Sequence, residues 1–393
     1  IYSCIAALVV VSGANADVKV GNPMAMTGPI PDLVAPMAIA VDLAEKHINE
    51  QGGMFASGEE FVIVRADSMC DPVAAVDAVT KLINVSGVVG IVGPVCSGAT
   101  IAQAESVAIP AGVVTLSVSA SAPAISNMET GTDLMFRTAA SDAYQGVALA
   151  ELALAKGITD LSVSYANDDY NAGLAEVFAA SFVANGGKIH LNEAHEPNKA
   201  SYRSEVATLG ANTDNLALFA YYGSGGITLM RNAMETGAFS TFLGADGMLA
   251  DEVIEQLGAE NLTNATFTTS TSDESTPGYA AWKALATAAD LNPLGPFIPN
   301  SYDAAFMMAL AIEKAGSADR DLIAGSLRAI ANAPGEIILP GEWSKAKKIL
   351  AAGGDIHYNG GSGPQDFDAN GDVAGDFSAS VVQDGAWVGK IIK

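Results

Sequence analysis

The chain has 393 residues, half of them hydrophobic and 16% charged, a balance that supplies large buried cores and excludes a disordered chain. At roughly 150 residues per domain it makes two to three folding units. Its 19 basic against 44 acidic residues give a net charge of −25; nothing here could neutralise a phosphate backbone or dock on an anionic leaflet, so nucleic acid is excluded as a partner, and so acidic a surface suits a salty medium.

Ile1 to Val11 is a short apolar run, followed by Ala14-Asn15-Ala16 and Asp17. This reads as the hydrophobic core and small-residue end of a secretory signal that has lost its first residues, cleaved after Ala16. The expected location of the mature protein is therefore the periplasm. Cys4 leaves with the signal and precedes its core, so it is not a lipid-anchor cysteine. Cys70 and Cys96 remain, an even pair in an oxidising compartment. They are either bridged or two buried thiols, and the compartment favours the bridge.

From Asp17 the chain alternates strand and helix. Val18-Lys19-Val20 starts a strand, Leu33 to Asn49 carries apolar residues at helical spacing, and Gly52-Gly53 stops it. Phe61 to Val64 is a strand, and Asp71-Pro72 opens a helix by capping and by proline in the first turn. Val88 to Val92 and Val113 to Leu116 are short apolar runs of the buried parallel kind. A second series follows: Leu161 to Tyr165, a helix from Asn171, Lys188 to Leu191, Leu216 to Ala220 and Thr241 to Leu243. The segment from Pro277 to Ala333 reads as mostly helical, and the Gly/Asp-rich tail from Ile356 as short strands. Two successive βαβ series predict two α/β lobes, each a mostly parallel sheet flanked by helices.

In open α/β sheets, ligands bind beyond the carboxyl ends of the strands. Those ends carry Pro94 to Gly98, Ser117 to Ser121, Ala166 to Tyr170, Tyr221 to Ser224 and Gly244 to Gly247. Hydroxyls, glycines, a tyrosine and a carboxylate meet there, a set suited to a small zwitterion. Taken one at a time, the serines read equally as helix caps and the aspartate as a turn residue.

Signals for catalysis are poor. The chain has no G-x-S-x-G elbow, no Walker A motif and no G-x-G-x-x-G after the first strand. His47, His190, His195 and His357 are its four histidines; His190 and His195 lack metal-site spacing. Asp366 to Asp372 resembles the start of a calcium loop, but its twelfth position is Phe377, and an Asn-Gly turn joining two strands is the better reading. No enzyme, catalytic residue, metal or cofactor is expected.

The run Asp67-Ser68-Met69-Cys70-Asp71-Pro72, then Gly93-Pro94-Val95-Cys96-Ser97, with Met26-Thr27-Gly28-Pro29, Ser119 to Pro123, Phe136-Arg137-Thr138 and Tyr170-x-x-Gly173-Leu174, resembles the periplasmic leucine/isoleucine/valine-binding proteins of ABC transporters. The resemblance spans Asp17 to Lys393. It implies a type I periplasmic binding protein whose two lobes, joined by three crossovers, close on an amino acid and deliver it to a membrane permease; a monomer is expected. The lobes would be 17–138 with 269–375, and 139–268 with 376–393. By the same resemblance Cys70 and Cys96 match the family's disulfide, Ser97 and Ser121 the hydroxyls on the ligand α-carboxylate, Ser119 a backbone contact, Tyr170 an aromatic facing the ligand, and Asp246 the acidic partner of the α-ammonium. Leu33 falls where an aromatic often lines the side-chain pocket, and Gly225 where another tyrosine is found; both departures predict a pocket open to more than leucine, isoleucine and valine. The competing expectation is a sensor of the same fold for an amide, urea or another small metabolite, which would give Asp246 no ammonium to pair.

Overall fold

The computed structural model describes residues 17–128 and 133–392, so the signal segment 1–16, with Cys4, lies outside the described residues. Among the described residues fifteen strands form three sheets. In chain order they are β1 Val18–Met24, β2 Phe61–Asp67, β3 Gly90–Val92, β4 Val114–Ser117, β5 Met135–Arg137, β6 Asp160–Ala166, β7 Lys188–His195, β8 Asn215–Phe219, β9 Thr241–Ala245 and β10 Ala265–Thr271. Then follow β11 Glu336–Ile338, β12 Ile356–Gly360, β13 Gly363–Pro364, β14 Asp376–Gln383 and β15 Ala386–Ile392.

The first sheet runs β2-β1-β3-β4-β5 and is wholly parallel. The second runs β15-β14-β10-β9-β8-β6-β7; β6 to β10 are parallel, and the hairpin β14-β15 is added antiparallel to β10. Read from its parallel edge, the second sheet repeats the order of the first. Both therefore have a topological switch point, between β1 and β3 and between β6 and β8, where an open sheet leaves a crevice at its carboxyl edge. Strands β3 and β4 are buried at every residue, as parallel strands covered on both faces must be. This is the two-lobed α/β architecture expected from the two βαβ series. The small third sheet, β11-β12-β13, packs against the helices of the first lobe.

The helices start and stop where local chemistry directs. Pro31–Glu50 has proline in its first turn; Pro72–Lys81 is capped by the Asp71 carboxylate, which accepts from the Ala74 N–H at 2.8 Å. The helical stretch 277–333 is three helices, Pro277–Ala288, Ile298–Ala315 and Arg320–Ala331. Ile298–Ala315 is buried along nearly its whole length, which is why its sequence is apolar on all sides. Among the described residues no helix is long and apolar enough to cross a membrane.

The chain passes between the lobes three times: after β5, after β10, and between β13 and β14. Strand β10 stays paired with β14 through Thr271, so the second passage lies beyond the 268/269 boundary expected from the sequence. The third passage corrects the reading of the acidic tail. Asp366 to Asp372 does turn, with the Gly371 N–H on the Asp368 carbonyl at 3.2 Å and the Asn370 and Asp372 N–H groups on the Asp368 carboxylate. It does not join a hairpin, because β13 and β14 belong to different sheets. The turn carries Asp372 to Arg137, which is fully buried: Nε donates to Asp372 Oδ1 at 2.6 Å, Nη1 to the Ala122 carbonyl and Nη2 to Ser126 Oγ. Arg328 adds donations to the Phe367 and Asp368 carbonyls and an ion pair with Asp133. Arginines answer the acidic segment.

Cys70 and Cys96 are bridged, with Cα atoms 5.3 Å apart. The bridge ties the loop after β2 to the loop after β3. In the chain-entropy model a closed loop of about 26 residues contributes roughly 3–4 kcal/mol. Thiol titration of the denatured, unreduced chain from Asp17 onward should accordingly find no free thiol, and Cys70→Ser/Cys96→Ser should lose about that much stability.

Candidate functional site

Between the two sheets lies a narrow cleft with a cavity volume of about 30 Å³. Its walls come from the carboxyl ends of the strands at both switch points: Ile30, Leu33 and Met37 beyond β1, Val95 to Ser97 beyond β3, and Ser119 and Ser121 beyond β4. From the second lobe come Tyr170 beyond β6, Tyr221 beyond β8, and Asp246 with Gly247 beyond β9. Phe297 completes the wall from the turn before helix Ile298–Ala315.

Six of the seven predicted ligand residues meet in this one cavity: Leu33, Ser97, Ser119, Ser121, Tyr170 and Asp246. Ser97 is the first residue of helix Ser97–Gln103; its Oγ accepts from the Ala122 N–H at 3.2 Å, leaving its own proton free to donate. The Ser119 hydroxyl is engaged within its lobe, on the Val95 carbonyl at 3.0 Å. Gly225 is not brought in. It stands outside the cleft lining, at φ 118°, against the Tyr202 hydroxyl, where even a Cβ would collide. That hydroxyl is fixed between the Glu196 carbonyl and the Lys199 N–H. The cleft does carry a second aromatic, Tyr221, stacked on Tyr170 with ring centroids 5.4 Å apart. Leu33 lines the cleft; Gly225 does not.

The structure adds groups that sequence reasoning missed. Gln145 Nε2 donates to Asp246 Oδ1 at 3.0 Å and to the Thr268 carbonyl at 3.1 Å, fixing the carboxylate. Asp142, one helical turn before Gln145, is fully buried beside Ser121 and Asp246, and the buried Tyr170 hydroxyl lies beside Asp246. Burial pushes the Asp142 carboxyl well above the ordinary carboxylate value, and the negative charge of Asp246 pushes it further. Burial also raises Asp246, against the bond from Gln145. Phe297 adopts a left-handed backbone at φ 56°, costly for a bulky side chain and typical of a residue held in place for a site. The signal for Asp142 and Gln145 was a polar pair one turn apart in a helix otherwise rich in alanine and leucine.

The histidines are accounted for singly. His195 Nδ1 bonds Ser164 Oγ at 2.9 Å, and burial lowers it to about 4; His190 lies 3.2 Å from Asp160. Among the described residues no three His, Cys, Asp or Glu side chains are grouped to hold a metal ion.

Two lobes, two switch points and a cleft between them are the architecture of the type I periplasmic binding proteins. The chain belongs to the family described as the receptor family ligand binding region, which matches residues 36–382. It is 28% identical over 372 residues to the chemotactic signal transduction system substrate-binding protein BasB of Halobacterium salinarum, covering 91% of this chain and 84% of that one. It is 29% identical over 318 residues to the Leu/Ile/Val-binding protein BraC3 of Rhizobium johnstonii, covering 80% and 84%. The crystal structure of the leucine binding protein LivK from Thermotoga maritima superposes with a TM-score of 0.80 at 24% identity, over 96% of this chain and 99% of that one. The family read from the motifs is the one found.

Proposed function

We propose that this protein captures an apolar α-amino acid by closing its lobes and hands it to an ABC importer in the periplasm. The observation that carries the reading is the polarity of the cleft: hydroxyls of one lobe face the buried carboxylate of Asp246 on the other, beside apolar walls of Ile30, Leu33, Met37 and Phe297. Ser97 and Ser121 would hold the α-carboxylate, Asp246 the α-ammonium, with Ser119 and Tyr170 completing the cradle. Charge-assisted hydrogen bonds of this kind contribute about 1.5–3 kcal/mol each. Those from different lobes form together only when the lobes close, so the ligand stabilises the closed state by differential contact. The three passages between the lobes serve as the hinge. The names of the relatives support an amino-acid ligand.

A second reading concerns the receiver of the signal. The Halobacterium relative serves chemotaxis by its name, and the same closed form could be read by a chemoreceptor. An amide or urea ligand is disfavoured, because it would leave Asp246 without a cation. A thermal-shift screen over the twenty amino acids, urea and simple amides tests the reading: apolar amino acids should raise the melting temperature and urea should not.

The buried acids set a pH dependence. Asp246 holds its proton more readily in the empty closed protein than a free carboxylate does, and a ligand ammonium beside it favours the ionised form. Binding therefore expels a proton, and affinity rises with pH until Asp246 is ionised in the empty protein. For one proton the slope is at most about tenfold per pH unit. Calorimetric titration between about pH 4 and pH 7 should show affinity falling on acidification; a flat profile would contradict it.

A further inference from the structure

We propose that Tyr222 and Gly223 form a latch that holds the lobes closed from outside the ligand pocket. The Tyr222 hydroxyl accepts the Asp32 N–H at 3.1 Å, and the Gly223 N–H donates to the Pro29 carbonyl at 3.1 Å. Both bonds cross from the second lobe to the first; none of the four residues lines the ligand cleft, and Asp32 borders a second, larger cavity between the lobes.

The chemistry on the first lobe explains why these bonds are available. Asp32 is in the opening turn of helix Pro31–Glu50, whose first N–H groups have no partner within the helix. The residue before that helix, Ile30, provides no side-chain cap. In the closed form the other lobe supplies one: the Tyr222 oxygen takes the Asp32 N–H. Tyr222 is buried in the closed form, with its hydroxyl on the Asp32 N–H across the lobe boundary.

Gly223 sets how close the lobes come. A Cβ on Gly223 would collide with the Pro29 carbonyl oxygen, and the three atoms it would meet first all belong to Pro29. The collision exists only with the lobes together. Similar close approaches occur at Gly98, where a Cβ would lie 2.7 Å from Asp169 Oδ2, and at Gly173, 3.2 Å from Pro123 Cδ. Those neighbours are a flexible carboxylate and a ring edge; at Gly223 the neighbour is backbone.

The latch is joined to the pocket on both sides. Tyr221, immediately before it, stacks on Tyr170 in the cleft wall, and Ile30 and Leu33 on the receiving segment line the same cavity. Tyr222 and Gly223 are thus positioning residues: they seat the apolar wall of the first lobe over whatever the second lobe holds.

The test uses the full chain carrying Pro123→Cys and Gly173→Cys, two positions in contact across the cleft only when it is closed, and a short thiol-specific bifunctional cross-linker that spares the native disulfide. The rate of cross-linking reports the closed fraction, however small. Gly223→Ala should slow it by about tenfold and Tyr222→Phe by about threefold, with and without L-leucine, while the melting temperature without ligand stays unchanged. In the native-cysteine background Gly223→Ala should speed L-leucine release by about tenfold and leave association within about twofold. Cross-linking of both variants at the parent rate would overturn the latch. The latch rests on the amino-acid reading only for its probe: slowed cross-linking with no L-leucine binding by any form would reject that reading and leave the latch standing.

Discussion

Asp246→Asn should abolish most of the affinity for L-leucine while leaving the fold intact. Asparagine has the same shape and still accepts from Gln145 Nε2, which now bonds Asp246 Oδ1 at 3.0 Å. It cannot balance an ammonium. Removing one partner of a buried charge pair costs about 3–5 kcal/mol, because the other charge stays buried. At about 1.4 kcal/mol per decade that is roughly two to three orders of magnitude. Asp142→Asn provides the contrast. The Asp142 carboxyl, fully buried and pushed toward its protonated form by burial and by Asp246, is imitated by an amide, so its loss should stay below about tenfold. Calorimetry on the two variants decides the division: equal losses would show that the carboxylates share the ammonium.

Arg137→Met should be the most destabilising single change in the first lobe. The guanidinium is completely buried, and it gathers Asp372, Ser126 and the Ala122 carbonyl, with Ser126 Oγ also on Asp372 Oδ2 at 2.6 Å. Methionine fills much of the volume and leaves Asp372 uncompensated, at a cost of about 3–5 kcal/mol. Arg137→Met/Asp372→Asn should recover part of that loss, since an unpaired buried charge costs more than a missing pair. Urea unfolding midpoints of the two proteins provide the check; a loss below about 1 kcal/mol for the single variant would place the pair among surface ion pairs in its effect. Since Asp372 lies on the third passage between the lobes, the variant should also weaken the hinge.

Much of this architecture was legible in the residues, for identifiable reasons. Buried parallel strands such as Val88 to Val92 are short, apolar and bounded by turns, so their pattern is local. That Ser97, Ser121, Tyr170 and Asp246 share one cleft was legible because they sit beyond strand ends, where an open α/β sheet leaves its crevice. Other features depend on distant partners. Asp366 to Asp372 read as a turn between two strands because its spacing is local, whereas its place on the passage between the lobes is tied to Arg137, more than two hundred residues earlier. Gly225 is hard to place from the sequence because Tyr221, Tyr222 and three glycines lie within six residues, and only the fold shows that Tyr221 faces Tyr170 while Gly225 faces Tyr202. Asp142 and Gln145 were missed for a related reason: on a helix with little amphipathic contrast, nothing in the spacing shows that one face looks into the cleft.

The central claim is that the cleft closes on both ends of an α-amino acid. Calorimetric titration of the unaltered protein with L-leucine and with 4-methylpentanoate, its deaminated counterpart, tests it most directly, because the two differ only in the ammonium that Asp246 is assigned to hold. The account predicts that L-leucine binds and that 4-methylpentanoate binds at least about a hundredfold more weakly, as expected for an unpaired buried carboxylate; equal affinities would contradict it.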